Sequence, residues 1–292
     1  MKFKDIIEIM RPINDIIGSL TVIIGILNTW DGISIPMVIG NVILGVITYF
    51  FIAASGMIIN DVYDYSIDLE NRPTRPIPRG SISLKQARML FIIILFVGIL
   101  ISIIHSFLFN LGILNIIIAI FFGFIGWLYA AWGKKSGFLG NIIVSISFSI
   151  GLIYGAVLNN SNIPLYIYCF FLTSFFLLLA REIVKGCEDI EGDKKEGVKT
   201  LAILMGFKKT LSISLIFQIV SILFFILPIF TNIINKTLFI ISMSPGLIDV
   251  IYATILTLKS NQRKESFKKI SLLLKIGSLL GLFAFLLASI YI

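Results

Sequence analysis

Long apolar runs separated by short polar breaks dominate the chain. Taken with their Gly, Pro and charge interruptions, they predict nine spans, at approximately 13–30, 36–60, 86–105, 109–132, 138–158, 164–187, 209–230, 236–257 and 271–291. Each is near the about 20 residues that an α-helix needs to cross roughly 30 Å of hydrocarbon. A transmembrane β-barrel would instead show short segments of alternating polarity. The pattern therefore predicts an all-α, polytopic membrane protein: a nine-transmembrane-helix bundle in which residues 1–292 form one integral membrane domain. Ahead of the first span, residues 1–12 set Ile6, Ile7, Ile9 and Met10 against Lys4, Asp5, Glu8 and Arg11, as in an amphipathic helix lying in the interface. The opening MKFKDIIEIMRP has no small-residue cleavage site, so no cleavable presequence is expected.

Composition sharpens this. The chain is 58% hydrophobic with a mean hydropathy of +1.01, which excludes a soluble globule, since those hold about 45–50% apolar residues. Cys169 and Cys187 are the only cysteines, one in an apolar run and one beside an acidic cluster, and fit neither a disulfide framework nor a thiolate metal site.

Charge gives the orientation. Basic residues fall at Lys2, Lys4 and Arg11, at five positions from Arg72 to Arg88, at Lys134 and Lys135, at seven from Arg181 to Lys209 and at six from Lys259 to Lys275. With nine crossings these 23 of 24 lie on one side, and only Lys236 lies opposite. Positive loops stay in the cytoplasm, which predicts a cytoplasmic N-terminus and an outer C-terminus in a cell membrane. The net charge of +8 then forms a one-sided collar suited to membrane lipids or an anionic substrate, with no nucleic-acid partner expected.

The acidic residues are more concentrated still. Of 16, four lie between Asp61 and Glu70 and six between Glu182 and Glu196, at the cytoplasmic ends of the second and sixth spans. In NDVYDYSIDLENRPTRPIPRG, residues 60–80, Asn60, Asp64 and Asp68 follow one another at intervals of four, so on one helix they project from one face. In REIVKGCEDIEGD, residues 181–193, Arg181, Lys185, Asp189 and Asp193 repeat the interval. One acid-rich helix end is an ordinary solvated cap; two in matching register point to a coupled site. Carboxylate and amide oxygens are hard ligands suited to Mg²⁺, which binds substrate phosphates while keeping waters. Four aspartates and two Mg²⁺ cancel, so a diphosphate still requires cations. Arg72 and Arg75 in a Pro-braced loop, Lys134 and Lys135, and Lys185 supply them. His105, the only histidine, falls at the far end of the third span and reads as an interfacial residue.

These residues resemble the UbiA-type intramembrane prenyltransferase superfamily, whose paired aspartate motifs match Asn60-x3-Asp64-x3-Asp68 and Asp189-x3-Asp193. The resemblance extends to Arg11-Pro12-x-Asn14, to RPTRPIP and to LYAAWGKKSGFLGN, residues 128–141, with Tyr129 and Asn141 near its ends. Within the superfamily, NDVYDYSIDLENRPTRPIP and AREIVKGCEDIEGD are most similar to the archaeal digeranylgeranylglyceryl phosphate synthases. That implies transfer of a geranylgeranyl group from geranylgeranyl diphosphate to the free hydroxyl of geranylgeranylglyceryl phosphate, a lipid-like acceptor. Mg²⁺ on Asn60, Asp64, Asp68, Asp189 and Asp193 would stabilise the departing diphosphate. Arg181 would suit an acceptor with its own phosphate, and Asp61, Glu188 or the diphosphate would take the hydroxyl proton. Two alternatives stand beside this: prenylation of an aromatic acid or quinone precursor, and cation transport, which would place its carboxylates nearer the midplane.

Overall fold

The computed structural model describes residues 2–159, 162–195 and 197–290. Its elements are α1 (Phe3–Met10), α2 (Pro12–Leu27), α3 (Ile35–Tyr63), α4 (Tyr65–Asn71), α5 (Leu84–Phe109), α6 (Leu114–Ala131), a 3-10 turn (Gly133–Ser136), α7 (Phe138–Asn159), α8 (Leu165–Glu188), α9 (Ile190–Lys195), α10 (Leu201–Ile226), a 3-10 turn (Leu227–Phe230), α11 (Lys236–Leu258) and α12 (Lys264–Leu287). Among the described residues eight helices are long and apolar enough to cross a membrane, and the bent pair α1–α2 makes a ninth candidate. The chain is a multi-pass membrane protein.

Packing follows chain order around the bundle. α2 packs on α3 and α7, α3 on α5 and α6, and α7 on α8; α8 then holds α10 and α12, and α11 covers α12, which returns to α2. Burial explains the composition: Ile13, Ile16 and Leu20 of α2 and Ile92, Phe96 and Leu100 of α5 face outward, as lipid-exposed positions do. The α2–α7 pair depends on glycine. A Cβ on Gly25 would strike the Leu152 carbonyl, and one on Gly155 the Val22 carbonyl, so the two backbones touch. Such close approach lets helices associate in lipid through dispersion, where no hydrophobic drive exists.

Three expectations need correcting. The first span ends at Leu27, not residue 30, because Asn28 turns back to cap α2 and donates to the Phe285 carbonyl. The seventh begins at Leu201, bending at Gly206 (φ 76°), well before residue 209. His105 is fully buried: its Nε2 lies 2.9 Å from Asn41 Oδ1, while Asn41 Nδ2 donates to the Leu158 carbonyl and to Asn159, each at 2.8 Å. A polar ring inside apolar helices must be partnered, and this one ties α3, α5 and α7 together away from the acidic end.

Candidate functional site

The N-termini of α5, α7, α10 and α12 and the C-termini of α3, α6, α8 and α11 meet at one end of the bundle, where both acidic stretches lie. Here the first stripe departs from expectation. α3 stops at Tyr63, and Asp64 sits between α3 and α4 with φ −82° and ψ 1°. Asp189 occupies the same place between α8 and α9, with φ −97° and ψ 10°. Both residues rest in the sparsely populated bridge region. The i to i−4 hydrogen bonds nevertheless persist: Asp64 N–H to Asn60, Asp68 to Asp64, Asp189 to Lys185 and Asp193 to Asp189 span 2.8–3.0 Å. Each stripe keeps its i to i−4 bonds while its helix is interrupted at the first aspartate.

Cations surround the first stripe. Asp61 is buried and accepts from Arg11 and, at 3.3 Å, from Arg75 Nη1; Arg75 also pairs with Asp68. Asp64 accepts from Lys134 Nζ at 2.8 Å and from Asn60 Nδ2 at 2.9 Å. Asp64 and Asp68 are 7% and 3% exposed, so burial strengthens these charge-assisted bonds. The loop bearing Arg75 is itself anchored. Arg79 donates from Nη1 and Nη2 to the two Glu8 carboxylate oxygens at 2.9 Å each and to Asp5 at 2.6 Å, clamping the loop to α1. Arg11, between α1 and α2, takes φ 51°, and Pro12 starts α2 without needing a backbone donor.

The 3-10 turn joins the two stripes. Its Lys134 reaches Asp64, while Lys199, just past the second stripe, donates its N–H to the Lys135 carbonyl at 3.4 Å. Gly137 has φ 64°, and a Cβ there would strike the Lys199 carbonyl; one on Gly140 would strike the Gly133 carbonyl. Only glycine permits this double backbone contact, which is the physical content of the GKKSGFLGN segment. Tyr129, half-buried on α6, lies within electrostatic reach of both Asp64 and Glu182.

The second stripe is more open. Asp189 and Lys185 are exposed, and Asp193 and Glu188 half-buried. Arg181 pairs with its neighbour Glu182, a residue the spacing argument passed over. Arg72 and Lys135 are exposed and Asn141 half-buried at the start of α7; the Asn14 side chain lies outside the described residues. Among the described residues, no three His, Cys, Asp or Glu side chains stand close enough together to hold a metal ion. The spacing argument also missed Asp15, buried one turn beyond Arg11 with Oδ2 unpartnered, and the Asp5–Glu8–Arg79 clamp. A charge inside the first apolar run was the available signal for Asp15.

Residues 19–290 match the UbiA prenyltransferase family. The digeranylgeranylglyceryl phosphate synthase of Methanosphaera stadtmanae is 36% identical over 289 residues, spanning 97% of this chain and 98% of its own. That of Saccharolobus solfataricus is 36% identical over 295 residues, covering 99% and 98%. A solved structure described as giving insight into digeranylgeranylglyceryl phosphate synthase in membranes superimposes with a TM-score of 0.84 at 33% identity, covering 98% of each chain. A UbiA homolog from Archaeoglobus fulgidus bound to GPP and Mg²⁺ shares the fold, with a TM-score of 0.69 at 18% identity over 97% of this chain and 99% of that one. Over nearly its whole length, then, this chain belongs to the UbiA prenyltransferase family.

Proposed function

We propose that the protein transfers a geranylgeranyl group from geranylgeranyl diphosphate to the free hydroxyl of geranylgeranylglyceryl phosphate, making digeranylgeranylglyceryl phosphate. The observation that carries this reading is the pair of Asx-x3-Asp turns, broken alike at Asp64 and Asp189 and bridged by the Lys134 turn, in a chain 36% identical to synthases of that name. An oxygen-only donor set of Asn60, Asp64, Asp68, Asp189 and Asp193 fits Mg²⁺, a hard cation that retains waters, better than any softer metal. Once bound, Mg²⁺ supplies charge neutralisation for the leaving diphosphate. The first stripe, with Asp64 and Asp68 buried, and the more open second stripe would close on it from either side of the 3-10 turn.

The protein's own groups do the rest. Lys134 and Arg75 already rest on Asp64 and Asp68, so each stands where a diphosphate oxygen would arrive and exchanges one anion for another as it binds. Arg72, Lys135 and Lys185, exposed around the same mouth, add positive potential. As the allylic carbon–oxygen bond breaks, its electron pair leaves with the diphosphate. The acceptor hydroxyl oxygen then bonds to the allylic carbon and its proton passes to the diphosphate, because Asp61 is held by Arg11 and Arg75. Arg181 reads the acceptor's phosphate. A run of stacked, half-buried rings, Phe138, Phe217, Phe176 and Phe224, with neighbouring centroids 5.7–6.4 Å apart, descends from the mouth along α8 and α10 and offers π faces to a developing carbocation and its tail. The mouth faces the cytoplasm by the positive-inside argument, and the segment from residue 2 to residue 12 lies in the interface as part of one domain.

Purified protein given geranylgeranyl diphosphate and Mg²⁺, with a phosphorylated glyceryl ether or with an aromatic acid, distinguishes the acceptors by mass spectrometry of the product. The ether lipid is expected. Product with the aromatic acid alone would overturn the assignment.

A further inference from the structure

A groove of about 290 Å³ opens on the outer wall of the bundle where α3, α5 and α6 approach the mouth. Its floor is the buried pair Ile59 and Val62 of α3, and Tyr63, Phe91, Ile92 and Trp127 form its sides. Tyr63, Ile92 and Trp127 are 47%, 63% and 38% exposed, so the groove opens sideways into the bilayer rather than into the site. Arg88 is the one charged residue lining it. The Arg88 side chain is exposed and forms no ion pair or hydrogen bond with any described residue. It lies five residues beyond the Ser83 cap of α5, about 7 Å along the helix at 1.5 Å per residue, with Lys85 almost a turn above on the same side. Phe91 and Ile92 continue below it toward the hydrocarbon.

An unpaired cation at this depth is costly unless it finds an anion, and Trp and Tyr rings beside it mark headgroup level. A cation above an apolar slot matches an anionic head above a hydrocarbon tail, the arrangement by which basic pockets between cytoplasmic helix ends take anionic lipids. We propose that this groove binds one anionic phospholipid from the bilayer, its phosphate on Arg88 and a chain along Phe91, Ile92 and Trp127. The site is distinct from the mouth: Asp61 and Asp64 are buried, whereas Tyr63 between them is turned outward into the groove. A lipid seated there braces the end of α3 that carries the first stripe.

The test uses the full chain with Trp30 and Trp132 changed to Phe, leaving Trp127 as the reporter, in vesicles of phosphatidylcholine with a minority of phosphatidylglycerol. Bromine is placed on the chains of one lipid or the other. Quenching should show phosphatidylglycerol favoured at least threefold. That preference should vanish in R88Q, persist in R88K and weaken in 0.5 M salt. Equal quenching by both lipids, or a preference that survives R88Q, would overturn the proposal. Relief of quenching by a phosphorylated glyceryl ether at concentrations that saturate turnover would assign the groove to the acceptor and equally overturn it.

Discussion

Arg75 links two buried carboxylates, Asp61 and Asp68, with side-chain exposures of 16%, 3% and 5%. Replacing it by Met keeps the aliphatic bulk but removes the guanidinium. Asp61 retains Arg11, whereas Asp68 loses the only ion pair it forms among the described residues. Stranding a buried charge costs about 3–5 kcal/mol, and water at the mouth reduces that here to about 2–3 kcal/mol. At roughly 2 °C per kcal/mol for a chain of this size, R75M should unfold about 5 °C lower in detergent. Adding Asp68→Asn removes the stranded charge at constant shape, so R75M/D68N should recover most of the loss, with a coupling energy of about 1.5–3 kcal/mol. Prenyl transfer should not recover if both groups also serve the diphosphate as proposed. The assay is thermal unfolding of the four proteins of the cycle beside their turnover. Additivity within about 0.5 kcal/mol would refute the view that this pair is coupled in the buried mouth.

Other consequences are as direct. Gly155→Val places branched carbons where the Val22 carbonyl now lies, so it should separate α2 from α7 and sharply lower the yield of monodisperse protein on size exclusion. His105→Ala leaves Asn41 short of a partner and should cost about 1–3 kcal/mol of stability without changing turnover per folded molecule; a parallel fall in turnover would show the polar ring is coupled to the site. Arg181→Tyr should raise KM for the phosphorylated glyceryl ether about tenfold and leave KM for geranylgeranyl diphosphate unchanged; identical KM values would remove Arg181 from acceptor recognition.

The bundle was legible because lipid leaves one solution to each apolar run of about 20 residues; among the described residues eight long helices follow that rule, with the bent pair α1–α2 a ninth candidate. The acidic registers were legible as spacing, but not their breaks. Nothing in the order of residues 60–68 shows that α3 ends at Tyr63, because the i to i−4 bonds run straight through Asp64. Pairings between distant segments were out of reach for a different reason. Arg79 meets Glu8, and Lys134 meets Asp64, only because the helices between them fold back to the same end. Local periodicity carries no information about such meetings. His105 was misplaced by the same blindness: its position near a helix end is visible in sequence, but the Asn41 that buries it lies 64 residues away.

The central claim is that the two stripes hold one metal-bound diphosphate between them, and it is tested most directly by Mg²⁺-dependent binding of an unreactive thiodiphosphate analogue of geranylgeranyl diphosphate to folded D64A, D68A, D189A and D193A proteins. Each single substitution should weaken binding at least tenfold, the exposed Asp189 and the half-buried Asp193 as surely as the buried Asp64 and Asp68. Undiminished, Mg²⁺-dependent binding in D189A and D193A would contradict the account, leaving the first stripe and its cations to hold the diphosphate alone.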